Sequence, residues 1–236
     1  MADVFGKVML DAADGKDALH QIERDDGYID KSSGKQYVAE FEDWFKGQQE
    51  AIQLAKGRVL DIGCGAGRVS LYLQKKGHDV TAIDISPGAV QVSKNRGVLD
   101  ARIMSADRLD FPDRTFDTVI MFGNNFGILG EPDNVMGMLE DLYRITTDGA
   151  IVLAESRNPL ATDNPDHLRY HQQNRLEGKP PGLVRIRLRY SGETGKWWTL
   201  LLATPDLMRS IAERTGWNLT ETLGEDWCYV GVLRKH

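Results

Sequence analysis

The stretch that decides the fold is Val59-Leu60-Asp61-Ile62-Gly63-Cys64-Gly65-Ala66-Gly67. A short apolar run ends on an acid and breaks into three glycines at alternate positions. "RVLDIG" predicts a buried strand, and the glycines predict a tight turn whose backbone approaches a ligand closely. "GRVSLYLQKKG" follows as a helix closing at Gly77, a residue type that tolerates the left-handed conformation of a helix end. "DVTAIDI" predicts a second strand ending at Asp84. Ser86-Pro87 then supplies an N-cap and a first-turn proline to a helix that stops near Gly97.

Outward from there the alternation continues. "ARIMSAD" predicts a third strand, "FDTVIMFG" a fourth and "AIVLAES" a fifth. The amphipathic helix "PDNVMGMLEDLYRIT", closed by Asp148-Gly149, precedes the fifth. Strands separated by helices of this length predict an α/β fold with a parallel, doubly wound sheet. The pattern changes after residue 156. Pro159, Pro165, Pro180 and Pro181 surround a short helical piece, "DHLRYHQQNRLEG". "LVRIRLRY" and "KWWTLLL", separated by "SGETG", carry a hairpin signature. "TPDLMRSIAERTGW" is a capped helix, and "WNLTETL" and "WCYVGVLRKH" read as two closing strands. At the other end, "YVAEFEDWFKGQQEAIQLA" places Tyr37, Phe41, Trp44, Phe45, Ile52 and Leu54 near a helical period, which predicts a helix packed on the following domain.

Composition bounds the possibilities. The 236 residues suit one large α/β domain with a substantial core. A net charge of -6 argues against a broad nucleic-acid surface, and no DNA partner is expected. No apolar run approaches the roughly 20 residues that cross a bilayer, and the first residues lack a signal-peptide core. A cytoplasmic protein without a membrane partner is therefore expected. Cys64 and Cys228 form no metal-spaced cluster and suggest no disulfide framework.

The glycine loop sits where such sheets open their ligand crevice, at the carboxyl end of a strand. Asp84 falls about 20 residues on, where an acid accepts hydrogen bonds from ribose hydroxyls. The dinucleotide fingerprint is G-x-G-x-x-G, but here the third glycine comes one residue early. Asp61 adds a second discrimination. An acid beside a pyrophosphate is repelled, whereas one beside an ammonium or sulfonium is attracted. S-adenosylmethionine carries both cations and no phosphate, so these residues favour it over NAD.

"VLDIGCGAGRVSLYL", "VTAIDIS", "SADRLDFPDRTFDTVIMFG" and "DGAIVLAES" resemble the successive motifs of the class I S-adenosylmethionine-dependent methyltransferases, over about residues 57–156. The resemblance implies a Rossmann-like seven-stranded sheet with its last strand antiparallel, which the two closing strands fit. It implies S-adenosyl-L-methionine as cofactor, S-adenosyl-L-homocysteine as product, and methyl transfer of the EC 2.1.1 class. By resemblance, Asp61 faces the methionyl end, and Gly63, Gly65 and Gly67 let the backbone pass beneath the cofactor. Asp84 holds the ribose hydroxyls, Ile85 packs on adenine and Asp107 accepts from its amino group. Phe122, Gly123 and Asn124 lie beside the transferring methyl. The segment "GNNFGILGEP" lacks the Asn/Asp-Pro-Pro-aromatic turn of many nucleobase and amide methyltransferases, so those acceptors lose support.

Beyond the cofactor the sequence says less. Transfer is an inline displacement, in which alignment and desolvation supply much of the rate. An acceptor that must lose a proton would use a base. His20, His167, His171 and Glu155 are the candidates. His167 and His171 stand i,i+4 on a predicted helix without an evident third metal ligand, so a solvated helix face is expected and no metal. Arg185, Arg187 and Arg189 share one face of a strand. They form either a charged outward face or an anion site for the acceptor, with Trp197 a candidate pocket wall. The expected organisation is one methyltransferase domain: an N-terminal helical lid (1–56), a cofactor-binding core (57–156), a hairpin-containing insertion shaping the acceptor pocket (157–200), and a closing helix and strands (201–236). The expected partner is a small-molecule methyl acceptor with an oxygen or nitrogen nucleophile, and the expected state a monomer or homodimer. The alternatives are an RNA or protein methyltransferase, a non-catalytic S-adenosylmethionine-binding protein and, last, an NAD-dependent oxidoreductase.

Overall fold

The computed structural model describes residues 3–236. Asp3 caps helix α1 (Val4–Ala13), which leads to strands β1 (His20–Arg24) and β2 (Ile29–Ser32) and the short helix α2 (Lys46–Ala51). The alternating core runs β3 (Arg58–Ile62), α3 (Arg68–Lys75), β4 (Asp79–Asp84), α4 (Pro87–Arg96), β5 (Asp100–Ile103), β6 (Phe116–Met121), α5 (Pro132–Ile145) and β7 (Thr146–Arg157). Then come α6 (Pro165–Leu176), β8 (Leu183–Tyr190), β9 (Glu193–Thr194) and β10 (Trp198–Leu201), followed by α7 (Pro205–Glu213), β11 (Trp217–Glu225) and β12 (Cys228–Lys235). Among the described residues, no helix is long and apolar enough to cross a membrane.

The large sheet has seven strands in the order β11-β12-β7-β6-β3-β4-β5. β3 to β7 pair in parallel, while β12 runs antiparallel to both β7 and β11. This is the Rossmann-like arrangement expected. Side chains alternate across it as a pleated strand requires. Leu60, Ile62, Val119, Met121, Val152 and Ala154 pack with α5 and α7 on one face. Val59, Ile120, Phe122, Ile151 and Leu153 pack with α2 and α3 on the other. Asp61 falls in register with that second set, so the pleat aims an acid at α3. Each fully buried Leu, Ile or Val contributes about 1.5–3 kcal/mol, which locks the strand ends in place.

A second sheet, of order β10-β8-β1-β2 with β9 on β8, is assembled from both ends of the chain. The predicted hairpin pairs β8 with β10, Ile186 opposite Trp198. β8 first turns into β9 on Ser191-Gly192, both at positive φ, closed by the pair Tyr190–Glu193 with Arg189–Thr194 next to it. The N-terminal partner corrects the sequence reading. Residues 1–56 are not purely a helical lid, because β1 and β2 enter this sheet and β1 pairs with β8.

The helix expected over residues 37–55 is likewise broken. Short 3-10 turns at Gly34–Tyr37, Phe41–Asp43 and Ile52–Leu54 flank α2, and Trp44 is extended at φ -77°, ψ 158°. The aromatic residues that gave the helical period serve separate partners. Phe41 stacks on Tyr72 with ring centres 4.7 Å apart, while Trp44 turns its edge to Phe122 at 6.5 Å. Tertiary packing overrides the local pattern here.

Candidate cofactor and acceptor site

The site lies at the carboxyl ends of β3, β4 and β6. Gly63, Gly65 and Gly67 sit at φ of +69°, +56° and +80°, so the loop adopts a conformation open to glycine. Gly67 is also crowded, since a methyl group there would stand 2.6 Å from Val98. The Gly65 N–H donates to Asp84 Oδ2 at 2.9 Å, and the Ser86 N–H donates to Asp84 Oδ1 at 2.8 Å. These bonds aim the half-buried Asp84 carboxylate over the loop. Each oxygen keeps a lone pair for a further donor. Burial raises the Asp84 carboxyl above its ordinary range, against the lowering effect of these N–H groups.

Asp61 is buried and accepts a 2.6 Å hydrogen bond from Ser70 Oγ on α3. Burial pushes its carboxyl up to about 6, with Ser70 and the charge of Arg68 opposing. An acid held high by desolvation is one that a neighbouring cation relieves. Arg68 itself donates to Gln48 Oε1 at 3.0 Å and stacks over Trp44.

At the end of β6, Phe122 is buried in its T-shaped contact with Trp44, and a methyl group on Gly123 would meet nothing within 4 Å among the described residues. Asn124 has its side-chain oxygen buried without a hydrogen-bond partner. Asn125 donates to the carbonyls of Ile62 and Gly63 at 2.8 and 3.2 Å, tying this loop to the glycine turn. Ile85 is 69% exposed and Ile103, opposite Asp84 in the β4–β5 register, is 61% exposed. Together they leave an apolar shelf beside the acid. Asp107 is exposed in the turn after β5.

These residues suit an S-adenosyl group on four counts. Among the described residues Asp61 makes no salt bridge and Asn124 Oδ1 lacks a donor, Asp84 can accept from vicinal hydroxyls, and the exposed Ile85 and Ile103 offer apolar surface to a purine. The Gly65 N–H, given to Asp84, is not available to a pyrophosphate.

Above the loop stands α1. Met9 lies 3.2 Å from where a Gly65 Cβ would be, and Phe5 packs edge-on to Tyr37 and Trp198. Tyr37 is partly buried, and desolvation pushes its hydroxyl up to about 12. Strand β10 abuts the loop after β6, where methyl groups on Gly127 and Gly130 would strike Leu201 and Thr199. The second sheet therefore covers the strand ends where Gly123 lies. His20, Ile22, Ile186 and Trp198 share its face toward α1.

The base candidates separate in space. His20 is 2% exposed, holds Ala18 O at 3.0 Å through Nδ1 and leaves Nε2 unpartnered. Its ring stacks on Tyr37, and burial lowers its pKa. Glu155 is buried and fully engaged, accepting from the Gly123 N–H at 2.9 Å, from Gln48 Nε2 and from the Cys228 thiol. His167 and His171 do not form the solvated helix face expected. His167 meets Tyr28 edge-on, and His171 is 4% exposed, both against the β1–β2 hairpin beside Arg24. A buried Arg24, sandwiched between Tyr28 and Tyr170, draws α6 onto that hairpin. Among the described residues, no group of three or more His, Cys, Asp or Glu side chains is placed to hold a metal ion.

Arg185, Arg187 and Trp197 occupy the opposite face of the second sheet. Arg187 and Arg189 pair with Glu23, and Arg185 and Arg187 stack on Trp197. The structure does not bring them to the glycine loop. Trp198, one residue on, faces α1 instead. The sequence reading also missed Met9, Tyr37, Ser70 and Asn125. Only Tyr37 carried a signal, as the start of the aromatic run.

Comparison with known proteins agrees with this geometry. Residues 59–149 match the family model described as a methyltransferase domain. The demethylmenaquinone methyltransferase of Tropheryma whipplei is 34% identical over 106 residues, 43% of this chain and 42% of that protein. The phosphatidylethanolamine N-methyltransferase of Cereibacter sphaeroides is 36% identical over 115 residues, 44% of this chain and 55% of that one. The matches thus span about half the length of these curated relatives or less. A Bacteroides fragilis S-adenosylmethionine-dependent methyltransferase, solved with S-adenosyl-L-homocysteine, covers 99% of this chain and 94% of its own at TM-score 0.83 and 26% identity. Fold, glycine loop and matches define a nucleotide-crevice protein of the methyl-transferring kind. Residues 59–149 thus carry a methyltransferase domain, and the family match together with the Bacteroides fragilis structure supports a class I S-adenosylmethionine-dependent methyltransferase.

Proposed function

We propose that this protein transfers the methyl group of S-adenosylmethionine to a small molecule received between its two sheets. The observation that carries the reading is the placement of two acids on either side of one loop: buried Asp61 on β3, and Asp84 bonded to Gly65. When bound, the cofactor supplies an electrophilic methyl on a sulfonium leaving group. The protein's part is placement and exclusion of water. Asp61 and the Asn124 oxygen would hold the cationic methionyl end, Asp84 the ribose, and Ile85 with Ile103 the adenine. Asp107 would take the adenine amino group, and Gly123 would leave room for the acceptor.

Phe5, Tyr37, Trp198 and Ile22 pack together at α1, and this aromatic and aliphatic surface, with Ile186 on the same sheet face, would suit a compact apolar acceptor. Relatives named as a demethylmenaquinone methyltransferase and a phosphatidylethanolamine N-methyltransferase support an apolar small-molecule acceptor. Of the four base candidates, only His20 packs on the lid over the loop. With Nδ1 committed to Ala18, its Nε2 is the nitrogen free to accept a proton.

Calorimetric titration with S-adenosylmethionine and NAD tests the cofactor, and label transfer from S-adenosyl-[methyl-14C]methionine to panels of phenols, quinols, amines, RNA and protein tests the acceptor. Binding of NAD alone sinks the reading. Label found only in RNA or protein sinks the small-molecule part of it.

A further inference from the structure

We propose that Asp3 is a positioning residue for the cofactor's ribose, latching α1 onto the turn that carries Asp84. The inference rests on reading Asp84 as the ribose acid. Asp3 is remote in sequence from every motif of the fold, yet its carboxylate does three things at once. Oδ1 accepts the Gly6 N–H at 2.9 Å and so caps α1. Oδ2 accepts from Ser86 Oγ at 2.7 Å and from the Gly88 N–H at 2.8 Å, both in the first turn of α4. Ser86 in turn gives its own N–H to Asp84 and caps α4 by accepting from the Ala89 N–H at 3.0 Å. The carboxylate of Asp3 is thus one residue removed, through Ser86, from the carboxylate that meets the ribose.

A steric device reinforces the polar one. Gly6 and Gly88 bring the two helices into backbone contact, so that a methyl group on either would stand 2.7 Å from the Cα of the other. Further along α1, Met9 covers Gly65, the donor on the other side of Asp84. One helix therefore grips the acid's turn from both flanks. An adenosyl ligand seated on Asp84 lies beneath α1, and leaving it requires α1 to part from α4. Charge-assisted bonds of the Asp3 kind are about twice as strong as neutral ones, so the latch sets the residence time of the ligand.

The test is the dissociation rate of S-adenosyl-L-homocysteine from the full chain, measured by stopped-flow displacement for wild type, Asp3→Ala, Asp3→Asn and Gly88→Ala. Asp3→Ala removes the bonds, whereas Gly88→Ala keeps the carboxylate and wedges the helices apart, its methyl standing 2.7 Å from Gly6 Cα and 2.9 Å from Asp3 Oδ2. Both are expected to speed dissociation about tenfold, with Asp3→Asn between them and wild type. Melting temperatures of the ligand-free variants run alongside, because a merely structural cap lowers stability without changing the off-rate. Unchanged dissociation from folded Asp3→Ala and Gly88→Ala overturns the latch. Asp84→Ala is the control on the underlying reading. If it binds S-adenosyl-L-homocysteine as wild type does, Asp84 is not the ribose acid and the proposal falls with it.

Discussion

Ser70 on α3 donates a 2.6 Å hydrogen bond to Asp61, the last acid before the glycine loop, and both side chains are buried. The bond fixes the direction of the carboxylate but leaves its charge uncompensated, which is why burial holds it at about 6. Because the folded value is raised above the unfolded one, Asp61 favours the folded state at low pH and costs stability as pH rises through about 6. A cationic ligand reverses that preference by binding the ionised form. S-adenosylmethionine affinity is therefore expected to rise with pH between about 5 and 7. Asp61→Asn is expected to flatten that dependence, weaken binding at pH 7.5 by tenfold or more, and stabilise the ligand-free protein there by about 1–3 kcal/mol. Calorimetry across pH, paired with denaturant unfolding, reads all three. An Asp61→Asn protein with wild-type affinity at pH 7.5 would refute the assignment.

Gly67 combines φ of +80° with a neighbour, Val98, too close for a methyl group. Gly67→Ala is expected to cost about 2–4 kcal/mol from strain and crowding together. Gly123 is the contrast, because it too has positive φ but opens onto free space. Gly123→Ala is expected to cost about 1 kcal/mol of stability and to act chiefly on turnover, by filling space beside the methyl. Chemical denaturation with single-turnover kinetics separates the two, and equal stability losses would contradict the difference.

His171 supplies a second pH effect. Burial first, then the charges of His167, Arg175 and Arg24, push its pKa down to about 4. An imidazole depressed on folding contributes stability that is present above about 6.5 and lost as pH falls through about 4. Acidification from pH 7 to 5 is expected to loosen α6 from the β1–β2 hairpin before the large sheet is affected. His171→Leu should remove that early step. Hydrogen exchange at residues 165–176 checks it, and identical acid sensitivity in His171→Leu would sink the idea.

The large sheet was legible because its strands are buried on both faces, so each reads as a short apolar run between a capped helix and a glycine. Asp61, Gly65 and Asp84 were legible for a related reason, since chemistry and backbone geometry demand particular residue types there. The second sheet was not. β1 and β2 are short and half-exposed, and β1 finds its partner β8 some 165 residues on, a pairing that no local pattern encodes. Asp3 and Met9 were invisible because any helix start permits an aspartate and any helix face a methionine. The Arg185–Arg187 alternation was read correctly as a shared face, but a strand pattern does not say which face meets the cavity. Glu23, opposite Arg187, decides it.

That pair gives a final prediction. Arg187 reaches Glu23 at 2.7 Å and stacks on Trp197, all on the face of β8 turned from the glycine loop. If the arginines served the acceptor, Arg187→Ala would raise KM for an anionic substrate and leave the fold intact. If they tie the two halves of the second sheet, as the contacts indicate, Arg187→Ala lowers stability slightly and leaves cofactor affinity unchanged. The loss should be matched by Glu23→Gln and not increased in the double variant, since both remove the same interaction. A full double-mutant cycle in urea measures this coupling. Additive losses would show that Arg187 and Glu23 act separately and reopen the acceptor reading for this face.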